Sequence, residues 1–141
     1  MTLYVVDSSV AVKWYVPEAH SDSAASLLDE SNELVAPDLL AAEFGNALWK
    51  KCRRGELSDS EVRSIVEAFQ AVPLQIYSSL TLLEAAVEIA LRTARTVYDC
   101  LYVALALAFN STLVTADSRL LEGLRESGLA VCAQHVGQLS G

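Results

Sequence analysis

A rhythm constrains this chain more than any other feature: short apolar runs rich in β-formers alternate with stretches of helical periodicity. Residues 3–6, 34–36 and 112–115 are such runs and 74–76 is a further candidate strand, each too short to be a helix and each leading into a segment with helix-start signals. An unbroken apolar run of this length is the mark of a strand buried on both faces. Strands of that kind, separated by helices, assemble into a mainly parallel sheet joined by right-handed crossovers. The expected fold is therefore α/β, a three-layer α/β/α sandwich. A fifth strand is expected at residues 129–132, and residues 1–141 read as a single domain without internal repeat, low-complexity segment or linker.

The helices follow from their punctuation. One is expected from Ser8 to about Val16, broken by Pro17, and a second over residues 21–30 with Ala24, Leu27 and Leu28 on one face. Pro37-Asp38 opens a longer helix that ends near Gly55. Ser58 and Glu61 have capping-box spacing for a helix reaching about Ala71, and another is expected over residues 81–93. Thr96 and Asp99 repeat that spacing before a nearly all-apolar helix. Asp117 opens the last one, which Gly128 stops.

Composition excludes several classes. At 141 residues the chain is long enough to bury one core, and Met1 leads straight into residues 3–7 with no cationic start, apolar segment or cleavage site. The longest apolar run, residues 100–109, is about half the ~20 residues a membrane helix needs. A cytoplasmic protein without membrane contact is expected. Cys52, Cys100 and Cys132 are odd in number and scattered, which fits buried thiols rather than disulfides or a metal-ligand set. The net charge of −8 argues against a nucleic-acid binder held mainly by a basic surface. An RNA ligand would need a bound metal, a locally basic rim or a partner chain.

Four acids stand out. In an open parallel sheet, ligands bind outside the carboxyl ends of the strands, and Asp7 and Asp117 follow strands at that position. Asp99 lies in the first turn of the all-apolar helix, at its end beside the sheet rim. Glu43 shares a helix face with Leu39, Leu40 and Ala47, so it points inward with the apolar stripe, and Asn46 lies on the same side to orient it. Each acid alone has a structural reading: Asp7 and Asp117 as helix N-caps, Asp99 as the acid of a capping box, Glu43 as the partner of a buried Arg. Together, their positions direct all four to one region.

That region needs a counter-charge. Two ionised carboxylates about 4 Å apart repel by roughly 4 kcal/mol at an effective dielectric near 20. Arg95 and Arg119 are near in sequence, but a hard cation with oxygen ligands, Mg²⁺ or Mn²⁺, suits the set better. Phosphodiester hydrolysis is the natural chemistry of an all-carboxylate metal site.

At Val5-Val6-Asp7-Ser8-Ser9, at residues 37–43, at residues 96–106 around Tyr98-Asp99-Cys100, and at residues 113–121 around Thr115-Ala116-Asp117, the chain resembles the PIN-domain ribonucleases, and within them the VapC-type toxins. The resemblance covers essentially the whole chain. It implies that Asp7 and Asp99 are the primary metal ligands, that Glu43 and Asp117 complete the pocket directly or through water, and that Ser8 and Thr115 are supporting hydroxyls. It further implies Mg²⁺ or Mn²⁺ dependence, endonucleolytic cleavage of RNA, homodimerisation and a small antitoxin as partner. Cys100 stands where many relatives have Ala, a change too conservative to matter.

Lys50, Lys51, Arg53 and Arg54 close the Glu43 helix, where they favour its C-terminal dipole; an RNA-backbone rim is the second reading. Trp14 and Trp49 read as core or dimer-interface residues rather than base-stacking platforms, and His20 and His135 join no ligand cluster. Two competing functions remain: a PIN-fold RNA- or partner-binding module with little turnover, and a phosphate-handling enzyme with Asp7 as covalent nucleophile. The intact four acids disfavour the first. The second lacks another acid beside Asp7 and a lysine placed to hold a phosphoryl group.

Overall fold

The computed structural model describes residues 1–129 and 132–139. At its centre lies one sheet of β1 (Thr2–Val6), β2 (Asn32–Pro37), β3 (Leu74–Tyr77), β4 (Thr112–Thr115) and β5 (Ala133–His135), in the order β3-β2-β1-β4-β5. Every pairing is parallel, and the apolar runs of β1, β2 and β4 hold the buried centre of the sheet. Val5, Val6, Val35, Ala36, Leu113 and Val114 are fully buried between the helical layers.

The helices are α1 (Ser8–Ala11), α2 (Ser21–Ser26), α3 (Leu39–Arg53), α4 (Asp59–Gln70), α5 (Ser79–Thr93), α6 (Val97–Ala108) and α7 (Ser118–Glu126). Right-handed crossovers place α1 to α4 on one face and α5 to α7 on the other, and the helix contacts α1·α3, α3·α4, α5·α6 and α5·α7 respect that division. The chain runs outward from β1 through β2 to β3, then crosses back to β4 on the other side of β1. The crevice of such a switch point opens between β1 and β4 at their carboxyl ends.

α6 is the central element. Seven of its residues, Cys100 to Ala106, are buried, and it packs on β1, β2 and β4. Such a helix must end its apolar surface somewhere, and it does so at Asp99 in the first turn. Among the described residues no helix is long and apolar enough to cross a membrane.

Several boundaries differ from expectation. The first helix is α-helical only over Ser8–Ala11, then tightens into a 3-10 turn at Val12–Trp14, since three β-branched valines (Val10, Val12, Val16) and Pro17 all disfavour continuation. α2 stops at Ser26 rather than near residue 30: the Ser26 hydroxyl donates to the Ser23 carbonyl, and the Asp29 side chain accepts from both the N–H and hydroxyl of Ser31. Leu28 consequently leaves the apolar face and is exposed, unlike Ala24 and Leu27. α5 starts at Ser79 because Ser78, two residues earlier than expected, supplies the cap. The last strand is Ala133–His135; of the expected 129–132 segment, residues 130–131 lie outside the described residues, and the Cys132 N–H donates to the Leu129 carbonyl. Cys100 and Cys132 are buried thiols as expected, but Cys52 is half-buried, its thiol donating to Asp59.

Candidate active site

Asp7 ends β1 and caps α1. Only 8% of it is exposed, and both carboxylate oxygens are held: Ser9 donates its hydroxyl to Oδ1 at 2.6 Å, and Thr115, from the end of β4, donates to Oδ2 at 2.5 Å. The Val10 N–H adds a longer bond of 3.3 Å to Oδ1. Despite these bonds, burial pushes the Asp7 carboxyl up to about 6, with the Glu43 charge adding to the rise.

Ser9 and Thr115 also stitch the two strand ends together. The Ala116 N–H donates to Ser9 Oγ at 3.0 Å, and the Asp117 N–H donates to Thr115 Oγ1 at 3.0 Å. The crevice between β1 and β4 is thus laced by two hydroxyls, each passing a hydrogen bond on to Asp7. Thr115 is fully buried. Ser8, the other expected hydroxyl, makes no side-chain bond among the described residues. Its neighbour Ser9 holds Asp7 instead, because the first turn of α1 turns that side chain back toward the cap.

Glu43 lies half-buried on α3, and Tyr102, a 2% exposed residue of α6, donates its hydroxyl to Glu43 Oε1 at 2.5 Å. Burial raises the Glu43 carboxyl, the Tyr102 bond opposes the rise, and the Asp99 charge adds to it. Burial and the neighbouring carboxylates drive the Tyr102 phenol far above its ordinary range, so this hydroxyl stays a donor at any working pH. Asn46, expected to orient Glu43, is exposed and makes no bond to it among the described residues; Tyr102 does so from the opposite helical layer. Tyr102 lies three residues after Asp99, one turn along the same face, a spacing legible in the sequence.

Asp99 is partly buried at the start of α6. The Thr96 half of the expected capping box forms, Oγ1 accepting the Asp99 N–H at 3.1 Å. Burial raises the Asp99 carboxyl, and so does the charge of Asp117, against a smaller opposing effect from Thr96 and Arg95. Asp117 caps α7, its Oδ1 accepting the N–H groups of Arg119 at 3.0 Å and Leu120 at 3.2 Å.

The four acids thus form a linked series: Asp7 feels Glu43, Glu43 feels Asp99, and Asp99 feels Asp117. Asp7 and Asp117 are N-caps as well, which uses Oδ1 of each and leaves acceptor capacity over. Glu43 has no buried Arg; among the described residues none of the four forms an ion pair with Lys, Arg or His. As placed, no three described His, Cys, Asp or Glu side chains are gathered tightly enough to hold an ion between them, so the series couples in pairs rather than closing as a shell. In donor chemistry the set suits a hard divalent cation: all oxygen, mutually repelling, and without an ion-paired counter-charge among the described residues.

The basic end of α3 is elsewhere occupied. Lys51 bonds Glu18 at 3.0 Å and approaches Glu56 at 3.8 Å, Arg54 approaches Glu56, and Arg53 lies 5.5 Å over the Trp49 ring. Trp49 is exposed, whereas Trp14 is partly buried with its indole N–H on the Ala24 carbonyl. His20 and His135 pack edge to face at 5.3 Å, outside the acidic series.

The family described as PIN domain matches residues 4–123 of the chain. Ribonuclease VapC3 of Pyrobaculum aerophilum is 39% identical over 122 residues, covering 84% of this chain and 92% of that protein. Among solved structures, PAE2754 of the same organism is similar with a TM-score of 0.73 at 24% identity, covering 96% of this chain and 85% of that one. A toxin-antitoxin complex from Klebsiella pneumoniae is similar with a TM-score of 0.56 at 11% identity, covering 88% of this chain and 92% of that one. At those two identities the likeness concerns the fold alone.

Proposed function

The chain belongs to the PIN-domain family, and from that premise we propose that it is an Mg²⁺- or Mn²⁺-dependent endoribonuclease hydrolysing RNA phosphodiester bonds, the toxin of a type II toxin–antitoxin pair. The observation that carries this reading is the linked series of four carboxylates at the carboxyl end of the sheet, left without a cation of its own. The relative named a ribonuclease supports RNA as substrate, and the similar structure described as a toxin-antitoxin complex supports a small antitoxin as partner.

Asp7 and Asp99 are the proposed primary ligands, with Glu43 and Asp117 completing the pocket. When bound, the ion would supply charge stabilisation at the phosphate and lower the pKa of a water. The chain's own part is positioning. Ser9 and Thr115 fix the Asp7 carboxylate by both oxygens, so it presents one orientation. Tyr102 aims Glu43 across the crevice from the other helical layer. Asp117 is tied to the rim by its own cap and by Thr115.

A homodimer acting in the cytoplasm completes the proposal. Leu80, Leu83 and Leu91 share one face of α5 and are 80%, 44% and 77% exposed, an apolar stripe that a second copy would cover. The test of the activity is incubation of purified protein with structured RNAs, with Mg²⁺ or with EDTA, beside Asp7→Asn and Asp99→Asn. Mg²⁺-dependent cleavage by the parent and its loss in both variants is expected. Binding without cleavage would overturn the nuclease reading in favour of a binding module.

A further inference from the structure

The net charge of −8 leaves the question of how an anionic strand is held beside four carboxylates. Most of the ten Lys and Arg residues are committed elsewhere: Lys13 and Lys51 to Glu18, Arg54 to Glu56, Arg125 to Glu122, Arg53 to Trp49, and Arg92 to the Ser127 carbonyl. Lys50 and Arg63 lie on α3 and α4. Arg95 and Arg119 are different. They flank the acidic series in sequence, four residues before Asp99 and two after Asp117, and make no ion pair among the described residues.

Arg95 is also a placed side chain rather than a surface one. It leaves the turn between α5 and α6 and lies flat on α7 at Gly123, where an added Cβ would stand 3.0 Å from Nε, 3.2 Å from Cδ and 3.3 Å from Cγ. Its Nε–H is buried without a hydrogen-bond partner, an unspent donor in a group that otherwise seeks planar oxygen pairs. Arg95 and Arg119 line an open depression of about 270 Å³ along α7, floored by Gly123; Glu122, one turn after Arg119, and Glu126, at the end of the helix, line it as well. Glu122 is held by Arg125 at 2.5 Å, and Glu126 ends α7, so the more positive part is the Arg119 end, where the helix dipole adds to it.

We infer that Arg95 and Arg119 form an anion subsite that takes a backbone phosphate of single-stranded RNA away from the bond being cut. The inference rests on the nuclease reading above. Two guanidinium groups offer forked donors matched to phosphate oxygens, and the depression has room for one phosphate. An RNA strand has the next phosphate that such a subsite needs when another lies at the carboxylates. Arg95 lies four residues before Asp99, in the turn that leads into α6, which makes the two places neighbours along one strand.

The test uses the full chain carrying Asp7→Asn, so that RNA is not consumed, and measures the Kd of a fluorescent single-stranded RNA across a range of salt. Arg95→Ala and Arg119→Ala should each weaken binding by roughly tenfold, and the pair should reduce the salt slope by about 0.7, the share of one phosphate contact. Gly123→Leu, which changes no charge and favours helix, should displace Arg95 and reproduce the Arg95→Ala loss, while Arg95→Lys should keep part of the affinity. Thermal melts of each variant separate this from unfolding. Unchanged RNA affinity and slope in the folded double variant overturn the subsite. Mg²⁺-dependent cleavage by the parent chain is scored separately, so the nuclease reading can stand while the subsite falls, or the reverse.

Discussion

Glu18 and Asp7 are both partly or wholly removed from water, yet their carboxyl groups move in opposite directions. Burial pushes Glu18 up, but Lys51 at 3.0 Å and Lys13 at 3.4 Å outweigh it, and the group ends below its ordinary value. Burial pushes Asp7 up to about 6, and its hydrogen bonds from Ser9 and Thr115 do not bring it back. The first acid joins the 3-10 turn after α1 to the end of α3 and is electrically finished. The second sits where its nearest charges are other carboxylates. A fold of this size could have supplied a lysine at the rim, as it does at Glu18; charge left unrelieved in a laced, preorganised crevice supports the proposed divalent-cation site.

The widest break between the two regions is expected in catalysis. Asp99→Asn should lower RNA cleavage by on the order of a thousandfold, while Glu18→Gln should leave it within about twofold, as initial rates on one substrate will show. Equal losses would erase the distinction.

Stability sharpens it with a sign. Between the ordinary value of 3.8 and about 6, the folded chain keeps on Asp7 a proton that the unfolded chain has released. Stability therefore falls as pH rises through that window, by roughly 3 kcal/mol at about 1.4 kcal/mol per unit, and stays low above it. Asp7→Asn removes the penalty, so in EDTA the variant should be more stable than the parent at pH 7.5, by up to that amount, and no more stable at pH 3.5. Denaturant melts at the two pH values measure this. For Glu18 the sign reverses: its contribution is present above its ordinary value and lost as pH falls through the depressed one.

Smaller effects follow. Tyr102→Phe keeps the ring and deletes one donor to Glu43, which should cost about 2 kcal/mol of stability at most and about tenfold in cleavage. Glu18→Gln should cost under about 1 kcal/mol, less in high salt, because the pair is near the surface.

The four acids were legible because each sits at a boundary whose type can be read locally: the end of an apolar strand, the first turn of an apolar helix, an apolar helix face. The sheet was legible for the same reason, since continuous apolar strands between helices leave few alternatives. What supports the acids was less so. Choosing Ser9 over Ser8 depends on the dihedrals of one helical turn, and choosing Tyr102 over Asn46 depends on how α3 and α6, on opposite faces, meet over the rim. The shortened α1 and α2 turned on valines and serine side chains competing with helix, weak effects that local periodicity hides. Arg95 lying on Gly123 joins residues 28 positions apart and had no local signal.

The central claim is that this acidic series is a divalent-cation site, and calorimetric titration of metal-free protein with Mn²⁺ in buffers of differing ionisation heat tests it directly. Saturable binding is expected, with release of about half a proton or more per ion at pH 6 where Asp7 is half protonated, almost none at pH 8, and loss of binding in Asp7→Asn and Asp99→Asn. Binding that survives both substitutions, or no binding by the folded parent chain, would contradict it.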